Sequence, residues 1–326
     1  MAFIKAMGAS HIDDKRLKRI INDMENRKLN SKYDSANIII NDVYDEYGID
    51  ISNVPIYNFV PYVGEEKFDG FSYLNTNGRF ISKSVSQAKD TKGAPIDKTE
   101  YMPHLAKDMK YIYEKTGCDI HGEVHIPGTT SDNVTSILGC TPDEAISRQA
   151  NNKLHFTWLD IRAINGKSLI NEPYYIRRAI LESIFYMFYS PTQDDRYVHI
   201  SPVTMSPVRD FWRIVNGGGE GLVFKRTDGL YVPDKKPVNN WIKCKKKVTL
   251  DVAIIGYNND GTGKNKGLFK SIQIGMMVNG EIQYVGNVHS GISDELRKEM
   301  HENREQFINK VIEVEAMGIN EQDNNI

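Results

Sequence analysis

Charge is threaded through positions that should be inside. Residues 65–70 read EEKFDG, residues 220–225 read EGLVFK and residues 241–245 read WIKCK. Each has the apolar texture of a β-strand, and each carries a lysine, a carboxylate or both. Glu123 sits in HGEV, Glu220 and Lys225 bracket GLVF, and Lys67 stands just before a tight turn at Asp69–Gly70. Lys243 and Lys245 share one face of their strand, because strand side chains two apart point the same way. Buried charge without a partner is costly. A fold for this chain must therefore leave these residues along strand edges, facing solvent, or gather them for a purpose. KxDG alone is a weak signal, and it is the company of Lys67 that gives it weight.

The elements around these stretches predict an α+β fold. Residues 13–47 read as helix, with Leu17, Ile20, Ile21 and Met24 on one face and a stop at Gly48. From about residue 50 the texture is strand, turn, strand, then a hairpin at Asn77–Gly78. YMPHLAKDMKYIYEKTG is a helix and CDIHGEVHIPG a strand. TPDEAISRQA is a short helix with Thr141 as cap. KLHFTWLDIRAING is a strand, PYYIRRAILESIFYMFY a long amphipathic helix and RYVHISPVT one strand. SPVRDFWRIVNGGG is a helix before the two strands EGLVFKR and NWIKCKK. After about residue 247 come strands parted by Gly-rich turns, a helix at SDELRKEMHENREQFIN and a last strand, KVIEVEAM. Four strands and a helix resemble an incomplete five-stranded barrel. The expected organisation is a helical segment over 1–49, a main domain over 50–247 and a small barrel over 248–326.

Composition narrows the class. A chain of 326 residues has room for two or three domains. Its formal net charge of −2 does not announce a nucleic-acid binder, but CKKKV at 244–248 and GTGKNKG at 261–267 are locally basic. Three cysteines without CxxC spacing exclude a four-cysteine zinc site and read as free thiols. No stretch approaches the ~20 apolar residues of a membrane span. The start, MAFIKAMGASHIDDKR, lacks a secretory apolar core, so the expected compartment is the cytoplasm.

Chemistry that uses such a set is nucleotidyl transfer through a lysine. An amine protonated near pH 7 is no nucleophile, and a second ammonium nearby frees its lone pair. Lys243 and Lys245 supply that potential and can hold a phosphate as charge moves. Carboxylates on neighbouring strands offer oxygen ligands to Mg²⁺, which usually needs only one or two of them plus phosphates.

At this point the residues carry a resemblance. EKFDG, HGEV, EGLVFK and WIKCK, in this order, resemble the motifs of the ATP-dependent DNA ligases, within the covalent nucleotidyltransferases. The resemblance implies an adenylation domain of antiparallel sheets with flanking helices, followed by an OB-fold β-barrel. It implies that Lys67 carries AMP, that Glu123 contacts the ribose and that Glu220 faces the metal. Lys225 is implied on the phosphate side, Lys243 and Lys245 at the α-phosphate, and Glu65 at the adenine amino group. The implied catalytic set is Lys67, Asp69, Glu123, Glu220, Lys243 and Lys245, with Glu123 and Glu220 as metal ligands. FTWLD at 156–160 resembles the motif whose aromatic stacks on the base. The aromatic expected just before Asp160 is Leu159, so Phe156 or Trp158 is expected to stack instead.

Two further departures stand out. The family usually carries arginine five residues after the nucleophile, and here that position is Ser72, with Arg79 and Lys83 as nearby bases. A last basic motif is expected at the barrel's end, and the chain there reads EVEAMGINEQDNNI. The cofactors implied are ATP and Mg²⁺, with Mn²⁺ an alternative. The partner implied is nicked duplex DNA, met by a monomer through basic loops at 245–247 and 264–270, with no membrane. The short layout resembles phage or viral ligases acting in the host cytoplasm. An RNA ligase of the same superfamily, or a non-catalytic nick-binding protein on the same fold, are the alternatives.

Overall fold

The computed structural model describes residues 10–11, 18–20, 22–24, 35–90, 92–190, 196–237, 239–246, 248–278 and 280–316. The expected last motif at 317–326, and most of the helical reading of 13–34, lie outside the described residues, although 18–20 and 22–24 are helical. The chain divides into two units, Met1–Cys244 and Lys245–Ile326.

In the first unit the strands in chain order are β1 (Ser10–His11), β2 (Tyr62–Glu66), β3 (Phe71–Thr76), β4 (Arg79–Val85), β5 (Pro95–Asp97) and β6 (Asp119–His125). They continue with β7 (His155–Ile164), β8 (Lys167–Ser168), β9 (Val198–Ile200), β10 (Val203–Thr204), β11 (Gly221–Arg226) and β12 (Trp241–Lys245). Among the described residues they form two sheets. One runs β1-β12-β11-β2-β10, and the other β5-β4-β3-β6-β7-β8 with β9 beside β7. The first therefore carries EEKFDG, EGLVFK and WIKCK side by side, though they lie far apart in sequence. The second carries HGEV and FTWLD.

Turn chemistry sets the start of this arrangement. Asn77 and Gly78 both have positive φ, 51° and 72°, as a two-residue hairpin between β3 and β4 requires. Gly70 is needed for space. A Cβ there would lie 2.2 Å from the carbonyl oxygen of Val124 on β6, so only glycine lets the chain leave Lys67 and enter β3.

The expected single strand RYVHISPVT is two. β9 pairs in parallel with β7, while β10 pairs antiparallel with β2 in the other sheet. Pro202 has no N–H to continue a ladder, and the chain crosses between sheets there. Thr141 makes no side-chain cap bond to the helix Pro142–Arg148. A helix at Ser131–Leu138 was not expected; its apolar set, Val134, Ile137 and Leu138, is too short to stand out from a turn.

The helix Tyr174–Phe188 differs most from its amphipathic reading. Every residue from Tyr174 to Glu182 is buried, including Arg177, Arg178 and Glu182. A helix buried all round must pair its charges. Arg177 grips Asp160 of β7 with two bonds of 2.8 Å, and Arg178 bonds Glu182 at 2.6 Å. The main core packs this helix and the helix Pro103–Thr116 against the second sheet through Leu105, Met109, Phe156, Trp158, Ile180 and Phe185.

The second unit is an antiparallel sheet of β13 (Val248–Asn258), β14 (Ser271–Val278), β15 (Glu281–Val288) and β16 (Val311–Ala316), in the order β15-β14-β13-β16. Helices Asp294–Glu302 and Arg304–Phe307 precede β16. Its core holds Val252, Ile254, Phe269, Ile272 and Met300. Strand content and helix follow the expectation. Among the described residues β15 and β16 are the two edges of an open order, so closure into a barrel is not seen. No described helix is long and apolar enough to cross a membrane.

Candidate active site

A cavity of about 160 Å³ opens where the two sheets of the first unit face each other. One wall is Glu65, Glu66, Lys67, Phe68, Val223, Lys225, Trp241 and Lys243. The other is Ser72, Lys83, His121, Glu123 and Leu159. The charged strand residues are thus gathered at one cleft.

Lys67 leaves the end of β2, and its backbone N–H is held by the Gly221 carbonyl at 2.9 Å. Its ammonium donates to the carboxylate of Glu220, 153 positions away in sequence, and both side chains are largely buried. Glu123 faces this pair from β6. Burial pushes its carboxyl up to about 8, the positive charge of Lys67 opposes this, and Glu220 and Asp69 add to it. Asp69 thus acts on Glu123 electrostatically from the turn. Burial also raises the pKa of Glu66, against Arg213.

Lys225 and Glu65 form the deepest part of the cleft. Both are 1% exposed and 2.7 Å apart. Lys225 also donates to the Leu159 carbonyl at 2.7 Å and lies 4.1 Å over the Trp241 ring. Burial lowers its pKa, against the pull of Glu65. Glu65 Oε1 further receives the Tyr174 hydroxyl and lies 3.7 Å from Arg178. Glu65 Oε2 is buried with no hydrogen-bond partner among the described residues, an acceptor left open. His121 stacks on Trp241 at 5.3 Å and sits between two hydroxyls, Ser72 at 2.8 Å and Tyr231 at 3.1 Å. Burial and surrounding cations hold its pKa well below the usual range, so it is a neutral wall.

Lys243 lines the cavity, and Lys245 ends the same strand at the first residue of the second unit. Neither Phe156 nor Trp158 reaches the cavity. Phe156 lies over Gly122 and packs edge-on to Phe80, and Trp158 packs on Phe185 inside the core. The cause is alternation, since Glu123 of the cleft pairs with Thr157, which puts Phe156 and Trp158 on the opposite face. Asp160 pairs with His121 but Trp158 with Gly122, so Leu159, which lines the cleft, is an extra residue at a bulge. The aromatic walls are instead Trp241, His121 and Phe68. Trp241 carried a legible signal, since it stands two before Lys243 on a strand. Tyr174 and Arg178 carried another, four apart on one helix face. Arg79 is paired with Asp97 on the surface, whereas Lys83 lines the cavity.

Behind Phe68 lies a histidine cluster. His125 packs on Phe68 at 4.7 Å, and His155 and His199 are stacked and bonded at 2.7 Å. Burial brings His125 and His155 down to about 4, their neighbouring histidines adding to it. An unfolded histidine takes its proton near pH ~6.5. Between the two values the unfolded chain binds more protons, so stability falls as pH drops from ~6.5 toward 4, by on the order of 1–3 kcal/mol. Thermal unfolding followed over this range should show the fall, and His155→Gln should reduce it. A flat profile would contradict the burial of these rings.

Known proteins share this architecture. The chain is 28% identical over 239 residues to DNA ligase C1 of Mycolicibacterium smegmatis, covering 69% of this chain and 62% of that one. A solved structure called Pmar-Lig_PreS3 superposes with a TM-score of 0.61 at 16% identity, covering 81% of this chain and 60% of that one. A structure of the Lig E DNA ligases does so at 0.57 and 15%, covering 83% and 90%. The chain thus spans about three fifths of the first two, 62% and 60%. Residues 65–245, which run from Glu65 through both sheets to the last lysine of β12, match the ATP dependent DNA ligase domain, and with more than half its length inside that match the chain belongs to this family.

Proposed function

We propose that the chain seals 5′-phosphate/3′-hydroxyl nicks in duplex DNA, using ATP and a lysyl-AMP intermediate on Lys67. The observation that carries this reading is the Lys67–Glu220 contact inside a cleft that also presents Lys243 and Glu123. The Lys67 amine attacks the α-phosphorus of ATP, the bond to the β-phosphate oxygen breaks, and pyrophosphate leaves. Glu220 is the acceptor at hand for the proton that Lys67 gives up. Lys243 stabilises charge on the α-phosphate, with Lys245 next in line on its strand. AMP then passes to the 5′-phosphate of the nick, and the 3′-hydroxyl displaces it.

The base is read at the deep end. The open Oε2 of Glu65 is an acceptor for an exocyclic amine, and Lys225, 2.7 Å from Oε1, holds this carboxylate in place. Trp241 and His121 provide flat surfaces there, in place of Phe156 and Trp158. Glu123, which lines the opposite wall of the cleft, is the group assigned to the ribose. Glu123 and Glu220 would be the carboxylate donors for Mg²⁺, an ion that usually takes only one or two protein carboxylates plus substrate phosphate. That ion would supply Lewis-acid neutralisation of the phosphates. In the second unit Lys266 and Lys270 are exposed, and Lys264 is paired with Asp294, so this loop is a backbone-phosphate contact on an OB-like sheet. The working form is a monomer in the cytoplasm, in a phage-type setting.

The test is a gel assay with a labelled 5′-phosphate at a nick. Duplex DNA should be sealed with ATP and Mg²⁺, and an all-RNA nick should be sealed far more slowly. Faster sealing of RNA would favour the RNA-ligase alternative. Failure on both, with a pre-adenylated nick also left unsealed, would end the ligase reading.

A further inference from the structure

Where the chain crosses between the two sheets at Pro202, it leaves a second cavity. This one measures about 380 Å³, within the size of small-molecule sites, and shares no lining residue with the first. Arg178, Glu182, Arg196 and Ser201 form its polar wall, and Tyr57 and Tyr186 give it flat apolar surface. Three atoms of the polar wall are buried without a hydrogen-bond partner among the described residues: Nη1 of Arg178, Nε of Arg196 and Oγ of Ser201. Arg178 is 2% exposed and Ser201 0%. Arg178 gives its Nε to Glu182 and its Nη2 to the Ser201 carbonyl, both at 2.6 Å. Its Nη1 stands 3.7 Å from Glu65 of the cleft, beyond hydrogen-bond reach.

Leaving buried donors unmade is costly, so their common chemistry identifies what belongs there. A guanidinium N–H only donates, and a hydroxyl is free to donate. Two guanidiniums face the single carboxylate of Glu182, so the wall is cationic. Water accepts two hydrogen bonds and carries no charge. An oxyanion accepts all three and neutralises the excess. We propose that this cavity binds a small oxyanion, a carboxylate or phosphate monoester on a flat apolar body, with its head on Arg178, Arg196 and Ser201 and its body against Tyr57 and Tyr186. The occupant is linked to the cleft through Arg178, which also faces Glu65. That linkage rests on the ligase reading for the adenine at Glu65; the site itself does not.

Calorimetry tests it with benzoate, phenyl phosphate and, as the uncharged control, benzyl alcohol. Truncating Arg178 would strand Glu182 and threaten the fold, so Arg196→Met and Ser201→Ala carry the test, with Arg79→Ala as a remote control. At least one anion should bind wild type, and benzyl alcohol about 10-fold more weakly or worse. Arg196→Met should lose roughly 10- to 100-fold and Ser201→Ala roughly 3- to 10-fold, while Arg79→Ala matches wild type. The tighter of the two anions names the head group. Adenosine affinity should shift by about fivefold or more when the anion is saturating. No binding of either anion at roughly 10 mM, leaving a cavity for water only, overturns the site. So does Arg196→Met binding as tightly as wild type. Adenosine affinity held within about twofold overturns the linkage. If adenosine does not bind even alone, the ligase reading of the base end fails by itself, and the anion isotherms still decide the cavity.

Discussion

Lys67→Ala should take no label from ATP carrying a radioactive α-phosphate, a loss of at least about 10⁴-fold. The reason is positional. Lys67 is the lysine in contact with Glu220, while Lys225 is held by Glu65 and Leu159 and Lys83 comes from the opposite wall. Lys67→Arg should be equally silent. Arginine keeps the charge and the carboxylate contact but stays protonated, so it has no lone pair to offer. Both variants should bind ATP, and both should still seal a pre-adenylated nick, because the 3′-hydroxyl is the nucleophile there. Label appearing on Lys67→Ala, mapped by peptide mass to Lys243 or Lys83, would sink the assignment of the nucleophile.

Arg177→Met should destabilise the first unit by about 3–5 kcal/mol. Arg177 and Asp160 are both 0% exposed and joined by two parallel bonds, so truncating one strands the other as a buried charge. Chemical denaturation, with the midpoint and slope fitted together, measures this. The double variant Arg177→Met, Asp160→Leu should recover most of the loss, since an apolar pair of similar volume removes the stranded charge. A loss below about 1 kcal/mol in the single variant would show that water or relaxation rescues Asp160. Function should suffer as well. Asp160 follows the extra residue Leu159, whose carbonyl receives Lys225, so the pair holds the bulge that shapes the cleft.

Charged residues inside strand-like stretches were enough to point to the cleft. Lys67, Glu123, Lys225 and Lys243 are side chains that an apolar strand does not carry by accident, and the structure places all four around one cavity. The stacking residue was misread because the nearest aromatics were taken in place of Leu159, although strand alternation already puts Phe156 and Trp158 on the face opposite Leu159. The bulge after Trp158, which no local signal marks, changes the facing of Asp160 instead. Lys225 was legible as a site residue but not as a buried partner of Glu65, since that pairing joins two strands distant in sequence. The helix Tyr174–Phe188 was read as amphipathic because its arginines look like a wet face. Arg177 is paired with Asp160 of another element, and Arg178 lies between Glu182 of its own helix and Glu65 of β2, so tertiary contact helps make those charges tolerable inside.

The sheet order β1-β12-β11-β2-β10 also sets a timetable. Ser10 and His11 pair with Ile242 and Lys243, so nearly the whole first unit separates two neighbouring strands. On a ribosome adding about 5–20 residues per second, Lys67 emerges roughly 9–35 s before the strand bearing Lys243. Glu220 arrives only shortly before that strand. A nascent chain would thus display Lys67 without Glu220 or Lys243 beside it, and the cleft would be assembled in a late, nearly all-at-once step. Such distant pairing also predicts slow refolding from denaturant, with recovery of nucleotide binding trailing recovery of helix signal.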